Sequence, residues 1–127
     1  MRFTFAHTNF HVVDLARSLA FYEEALGLHE VGRRQIREGT LVFLGDGTSE
    51  HQLELMVSND RNVPYALGEN SFHLAFEVDN FATAHALHSM MNCIVYENLL
   101  QDIYFITDPD GYWIEIMPSK GSFYHNG

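Results

Sequence analysis

Apolar and polar residues alternate in eight short segments of the chain, as in strands with one buried face. The segments lie near residues 3–12, 29–36, 40–45, 51–58, 71–78, 93–99, 103–107 and 112–118. Two other stretches place their apolar residues at helical spacing. The first begins after Asp14, a candidate N-cap, and ends at Gly27, and the second begins after Asp79 or Asn80. The pattern therefore predicts an α+β fold.

The predicted elements occur in the order βαβββ twice. We predict one domain over residues 1–127, with module 1 at about 1–58, a linker at 59–70 and module 2 at about 71–119. The linker is polar and contains Pro64 and Gly68. The polar tail, 120–127, is expected to be disordered, although Phe123 and Tyr124 could pack against a partner subunit.

Each half has one histidine near its start and one glutamate near its end. His7 and His73 are 73 − 7 = 66 residues apart, and Glu54 and Glu115 are 115 − 54 = 61 apart. Each glutamate lies between apolar neighbours, where an ionised carboxylate needs a partner. Taken singly, each residue fits a structural or solvent-facing role. Their matched placement in both halves instead favours a common role as metal ligands.

Two imidazoles and two carboxylates suit a divalent first-row metal such as zinc, nickel, cobalt, iron or manganese. Four protein ligands leave two positions of an octahedral ion for oxygen atoms of water or substrate. Such an ion can act as a Lewis acid in proton transfer beside a carbonyl, with one carboxylate as the general base.

The other histidines show weaker patterns. His11 is four residues after His7 and on the same side of a strand, so a pocket role and an ordinary sheet role both fit. His85 and His88 share a helix face, for which a solvated position is expected. Surface positions are expected for three more, His29, His51 and His125.

Composition excludes several classes of function. The formal net charge is −10, so a nucleic acid backbone would be repelled. There is no apolar run long enough to span a bilayer, and the N-terminus lacks the pattern of a signal peptide. The single cysteine, Cys93, agrees with a reducing compartment, and we interpret it as a small buried hydrophobe. We expect a cytoplasmic protein that binds neither nucleic acid nor membranes.

Four segments of this sequence resemble glyoxalase I (lactoylglutathione lyase), a family in the vicinal oxygen chelate superfamily. The first strand and helix of the family resemble AHTNFHVVDLARSLAFYEEALGL, and the strand with the first glutamate resembles HQLELMVSN. The strand with the second histidine resembles SFHLAFEVDN, and the most specific match is DPDGYWIEIM. The ligand positions of the family are filled by His7, Glu54, His73 and Glu115.

The resemblance implies two βαβββ modules whose mixed sheets form a metal-holding cleft, and a homodimer with active sites shared between its chains. It implies a substrate, the hemithioacetal of methylglyoxal and a thiol, usually glutathione. A proton moves from C1 to C2 through an enediolate, which gives the S-lactoyl thioester. Glu115 would be the main base and Glu54 a ligand that assists. One divalent metal ion per site is implied, with nickel or cobalt favoured and zinc possible.

Three departures from the family concern the thiol. His11 stands where glutathione-dependent members often have arginine, and Ser58 where they often have asparagine. We take both as candidate substrate-binding residues. The loop 97–102, ENLLQD, lacks the lysine and glycine residues that commonly help to hold the thiol's carboxylates. Charge-assisted hydrogen bonds are stronger than neutral ones, and these departures remove cationic partners of the glutathione carboxylates. The residues therefore support the isomerase chemistry more than they support glutathione as the thiol.

Two alternatives stay open. The same superfamily contains metal-dependent epimerases, extradiol dioxygenases and fosfomycin-type thiol transferases. The dioxygenases and transferases use two histidines and one glutamate, and epimerases tend to have glutamine at the position of Glu54. The second alternative is a metal-free small-molecule-binding protein, of a kind that usually lacks the ligand set.

Overall fold

The computed structural model describes residues 1–119. The prediction for the tail, including Phe123 and Tyr124, lies outside the described residues. Two compact units divide the chain, Met1–Ala66 and a second that begins at Leu67. Within the described residues, no helix has both the length and the apolar character needed to cross a bilayer.

The described elements confirm the predicted order βαβββ in each unit. The strands are β1 (His7–Val12), β2 (His29–Gln35), β3 (Gly39–Gly45), β4 (Gln52–Ser58), β5 (His73–Val78), β6 (Ile94–Asn98), β7 (Ile103–Thr107) and β8 (Trp113–Pro118). The helices are α1 (Leu15–Leu26) and α2 (Phe81–Met90), and a 3-10 turn spans Leu99–Gln101. The first strand begins at His7 rather than residue 3, because β4, its partner, begins opposite it at Gln52.

Each unit has a four-stranded mixed sheet in its described part. The strand order is β1-β4-β3-β2 in the first unit and β5-β8-β7-β6 in the second. In both, the first strand pairs parallel to the last, and the other pairings are antiparallel. A parallel pair requires a crossover connection, and the helix after the first strand begins that connection. The last strand of each unit is therefore central and the first is an edge.

The helices begin and end where short-range hydrogen bonds satisfy the backbone. Asp14 is the N-cap of α1 and accepts a hydrogen bond from the Arg17 amide at 3.1 Å. Gly27 ends that helix with φ of +66°, a left-handed conformation that glycine adopts without steric cost. Of the two candidate caps of α2, the structure selects Asn80, which accepts from the Thr83 amide at 3.0 Å.

Burial differs between the two faces of each sheet. On β1, Phe10 and Val12 are buried whereas His7, Asn9 and His11 are exposed. The same face as Phe10 carries other buried residues on neighbouring strands, namely Val42, Leu44, Leu53 and Leu55. In the second unit the buried face carries Tyr104, Ile106, Ile114 and Ile116. One face of each sheet thus forms core, and the other remains for polar chemistry.

The helix caps generate a test of the fold. Replacing Asn80 by alanine is expected to lower the free energy of unfolding by about 1 kcal/mol, because the Thr83 amide loses its acceptor. Asp79→Ala is the matched control and should lower it by less than about 0.5 kcal/mol. Urea unfolding followed by circular dichroism measures both. Equal losses in the two variants would contradict the assignment of Asn80 as the cap.

Candidate active site

The first unit brings His7 and Glu54 together on the open face of its sheet. His7 Nε2 lies 3.4 Å from Glu54 Oε1. Parallel pairing sets His7 opposite Gln52 and Asn9 opposite Glu54, so His7 and Glu54 are two positions apart and point to the same side. The Glu54 side chain is 10% exposed and that of His7 42% exposed. The carboxylate therefore forms the floor of the site and the imidazole its rim.

The second unit forms the same arrangement with His73 and Glu115. His73 Nε2 lies 3.2 Å from Glu115 Oε1. Here His73 is opposite Trp113 and Ala75 is opposite Glu115, which is again an offset of two positions. The Glu115 side chain is 17% exposed and that of His73 41% exposed. The repeat seen in the sequence is therefore also a repeat of strand register.

A phenylalanine lies beside each His–Glu pair and was not among the residues predicted from the sequence. Phe43 on β3 is opposite Glu54, and Phe105 on β7 is opposite Glu115. The His7 and Phe43 ring centroids are 6.2 Å apart, and those of His73 and Phe105 are 4.9 Å apart, both edge to face. The signal was available, because the two phenylalanines are 105 − 43 = 62 residues apart, close to the spacing of the glutamates.

The two glutamates differ in how they are restrained. Asn9 Nδ2 donates a hydrogen bond to Glu54 Oε1 at 2.8 Å. The equivalent position in the second unit is Ala75, which has no donor. Among the described residues, His73 is the one side chain that contacts the Glu115 carboxylate by a hydrogen bond. Glu54 is therefore fixed from two sides and Glu115 from one.

The donor atoms of each pair suit a metal ion, but each pair supplies two ligands only. Imidazole nitrogen with carboxylate oxygen is a donor set suited to divalent first-row metals. Within residues 1–119, no group of three or more His, Cys, Asp and Glu side chains is arranged to hold a metal ion. Each unit by itself thus presents half of the predicted four-ligand set.

His11 and Ser58 lie four residues beyond His7 and Glu54 on the same two strands. The His11 ring is 5.4 Å from that of Tyr65, at an interplanar angle of 81°. Ser58 is half-buried at the end of β4, and its hydroxyl donates to Asp60 Oδ1 at 3.2 Å. Both candidate substrate-binding residues therefore lie at the opposite end of the open face from the His7–Glu54 pair.

The predicted solvated position is wrong for His88. It is 2% exposed, and its Nδ1 lies 2.7 Å from the Tyr104 hydroxyl. Burial, and to a smaller extent the neighbouring Cys93, raise the pKa of the Tyr104 phenol above its usual value. His85 is half-buried and its Nε2 lies 2.8 Å from Glu97 Oε1. Helical spacing correctly puts both histidines on one face, and both rings contact Tyr104 of β7, so that face is partly covered and not fully solvated.

The remaining predictions for single residues have clear outcomes. His29 and His51 are exposed as predicted, and His51 Nε2 lies 3.0 Å from the Thr8 hydroxyl. Cys93 is buried and its Sγ lies 3.6 Å from the His88 carbonyl oxygen, which agrees with its interpretation as a small buried hydrophobe. His125 lies outside the described residues.

The chain is similar to known proteins in both sequence and fold. Residues 4–116 match the family model of the Glyoxalase/Bleomycin resistance protein/Dioxygenase superfamily. Lactoylglutathione lyase of Neisseria meningitidis is 35% identical over 124 residues, which cover 90% of this chain and 89% of that protein. Lactoylglutathione lyase of Haemophilus influenzae is 33% identical over 126 residues, which cover 91% and 93%.

A solved structure extends the likeness to the fold. The trypanothione-dependent glyoxalase I of Leishmania major superposes with a TM-score of 0.84 at 32% identity. The match covers 96% of this chain and 91% of that protein. Both βαβββ units therefore have counterparts in a protein of similar length.

Proposed function

We propose a reaction for this chain, which belongs to the glyoxalase/bleomycin resistance protein/dioxygenase superfamily. The chain is an enzyme of the glyoxalase I type, a carbon–sulfur lyase. It converts the hemithioacetal of methylglyoxal and a thiol to the S-lactoyl thioester. The observation that carries the proposal is the His–Glu pair formed twice by the same strand register. A cytoplasmic location is part of the proposal and agrees with the single cysteine of the sequence, Cys93.

The two pairs together would hold one divalent cation, through His7, Glu54, His73 and Glu115. Nitrogen and oxygen donors fit nickel or cobalt, which we favour, and also zinc. A bound cation supplies Lewis acidity for the negative charge that develops on the substrate oxygens during proton transfer. The imidazole of each pair is exposed and its carboxylate is the less exposed partner, so the two pairs would orient the reacting carbons over the sheets.

Glu115 is the proposed base that takes the proton from C1 and returns it to C2. The asymmetry between the units supports this choice, because Asn9 restrains Glu54 whereas Ala75 leaves Glu115 without an amide donor. A carboxylate that transfers a proton must reach both carbons in turn, so freedom to move is an advantage. Glu54 is proposed as a ligand that assists.

Aromatic rings around Glu115 would limit water at the transferred proton. Phe105 lies opposite it, and the Phe105 and Trp113 centroids are 5.4 Å apart. Tyr96 extends this wall, with its centroid 6.0 Å from that of Phe105. Excluding water strengthens electrostatic interactions in the site and prevents exchange of the proton with solvent.

The relatives of this chain are named for different thiols. The bacterial relatives carry the name lactoylglutathione lyase, whereas the Leishmania major relative is described as trypanothione-dependent. We propose a thiol of peptide size that extends along the open face toward His11 and Ser58, since both lie on the strands that hold His7 and Glu54.

Each unit supplies half of the ligand set, and we propose that a homodimer completes two sites. The first unit of one chain would meet the second unit of its partner in a shared, metal-holding cleft. A closed twofold symmetry would then give two identical sites.

Turnover tests the proposed reaction directly. The purified protein, stripped with a chelator and reloaded with nickel, cobalt or zinc, is expected to form thioester from methylglyoxal and glutathione. Nickel and cobalt should give the highest kcat, and the chelated protein should have no activity. Thioester absorbance measures the rate. Absence of turnover with all three metals and with all common thiols would exclude the proposal.

Glu115→Gln tests the base. We expect kcat to fall by about 10²- to 10⁴-fold, the range for loss of a positioned general base, while the melting temperature is unchanged. Glu97→Gln is the matched control, because it removes a carboxylate that also pairs with a histidine, His85, in the same unit. Its kcat should stay within about two-fold of wild type. A Glu115→Gln enzyme with near wild-type kcat would refute the assigned role.

Mixed dimers test whether the sites are shared. Glu54→Ala and Glu115→Ala proteins should each be inactive alone. In a mixed dimer, a shared arrangement leaves one site with no substitution, so reassembled mixtures should regain about a quarter of wild-type activity. Sites built within one chain would each keep one substitution, and the mixture would then be no more active than its components.

A further inference from the structure

Arg61, in the loop after β4, has a side chain that is fixed in place by three contacts. Its Nε donates to the Val63 carbonyl at 2.9 Å, and a terminal nitrogen donates to the Pro64 carbonyl at 2.7 Å. The guanidinium carbon lies 4.0 Å from the centroid of the Tyr65 ring, a cation–π arrangement. A long cationic side chain ordinarily loses conformational entropy when it binds a ligand, and here that ordering is already present.

Tyr65 connects Arg61 to the open face of the first sheet. Its ring contacts His11 edge to face at 5.4 Å. His11 points to the same side of β1 as His7, and four residues of strand span about 13 Å. The set Arg61, Tyr65 and His11, called here the arginine stack, therefore lies at one end of the face whose other end carries His7.

The charge of Arg61 is not neutralised by a neighbouring carboxylate. An arginine has five N–H donors, and two of these are used within the loop. Among the described residues, no carboxylate forms an ion pair with Arg61, whereas Arg33 forms one with Glu30 at 2.8 Å. The adjacent Asp60 accepts instead from Ser58. In a protein of net charge −10, an anionic ligand needs a local cation of this kind.

From this geometry we propose that Arg61 binds a carboxylate of the thiol half of the substrate, an inference that rests on the proposed function. A planar guanidinium with free edge donors pairs well with a carboxylate, and such charge-assisted bonds are stronger than neutral ones. Two residues of strand, about 7 Å, separate the level of Glu54 from that of His11. A tripeptide thiol with its sulfur beside Glu54 would therefore bring a terminal carboxylate to the arginine stack. Arg61 is thus a residue that determines thiol specificity and takes no part in proton transfer.

Arg61→Gln separates this role from catalysis. With the hemithioacetal of glutathione, KM is expected to rise by about ten-fold or more, the loss of one charge-assisted pair, with kcat within about two-fold of wild type. With the hemithioacetal of glutathione diethyl ester, which lacks both carboxylate charges, the variant and wild type should have equal KM. Arg17→Gln, which removes the same charge from α1, is the matched control and should leave both KM values unchanged.

Binding of an unreactive probe separates failure of this inference from failure of the proposed function. Calorimetry with S-methylglutathione needs no turnover, and Arg61→Gln should weaken its affinity by about ten-fold while the diethyl ester is unaffected. Arg61→Lys retains the charge, so we expect it to bind S-methylglutathione with part of the wild-type affinity. The lysine variant keeps the test usable even if the glutamine variant folds poorly. Three outcomes would overturn the inference. They are equal affinity of wild type and Arg61→Gln, an equal loss of affinity for S-methylglutathione and for its diethyl ester, and no binding of S-methylglutathione to wild type. An enzyme inactive with every thiol that still shows the Arg61-dependent binding would refute the reaction alone.

Discussion

In both units the candidate site depends on one constraint, the register of a parallel strand pair. This register offsets the histidine from the glutamate by two positions. The offset is maintained by the opposite face of each sheet, where buried residues such as Phe10 and Leu55 pair across the same strands. A slip of one residue would turn every side chain to the other face, burying polar groups and exposing core. The hydrophobic effect therefore sets the position of the polar atoms of the candidate site.

The repeat of this register does not make the two halves equivalent. Glu54 is held by Asn9 and lies on the floor of its site, whereas Glu115 has Ala75 in the corresponding place and aromatic rings beside it. A difference of one side chain in a repeated scaffold thus suits one carboxylate to a fixed role and the other to movement. Small substitutions on the open face have little effect on the core, so such differences can arise without loss of the fold.

Polar groups outside the His–Glu pairs have distinct physical roles. His88 and Tyr104 bind each other inside the second unit, which satisfies two buried groups that would otherwise be costly. Arg61 is ordered by its own loop and by Tyr65, yet retains donors for a ligand. In a protein of net charge −10, the ordered guanidinium of Arg61 is a local site of positive charge.

The sequence by itself determined the order of elements, the helix limits at Asp14 and Gly27, and the repeated placement of His7, Glu54, His73 and Glu115. These features depend on local periodicity and on short-range capping, which a linear pattern contains. The tertiary structure decided which helix face is covered, so that His88 is buried. It also decided which residues meet across strands and loops, as in Asn9 with Glu54 and Arg61 with Tyr65. Contacts of that second kind depend on strand register and on the path of the loop in space, and residue spacing alone specifies neither.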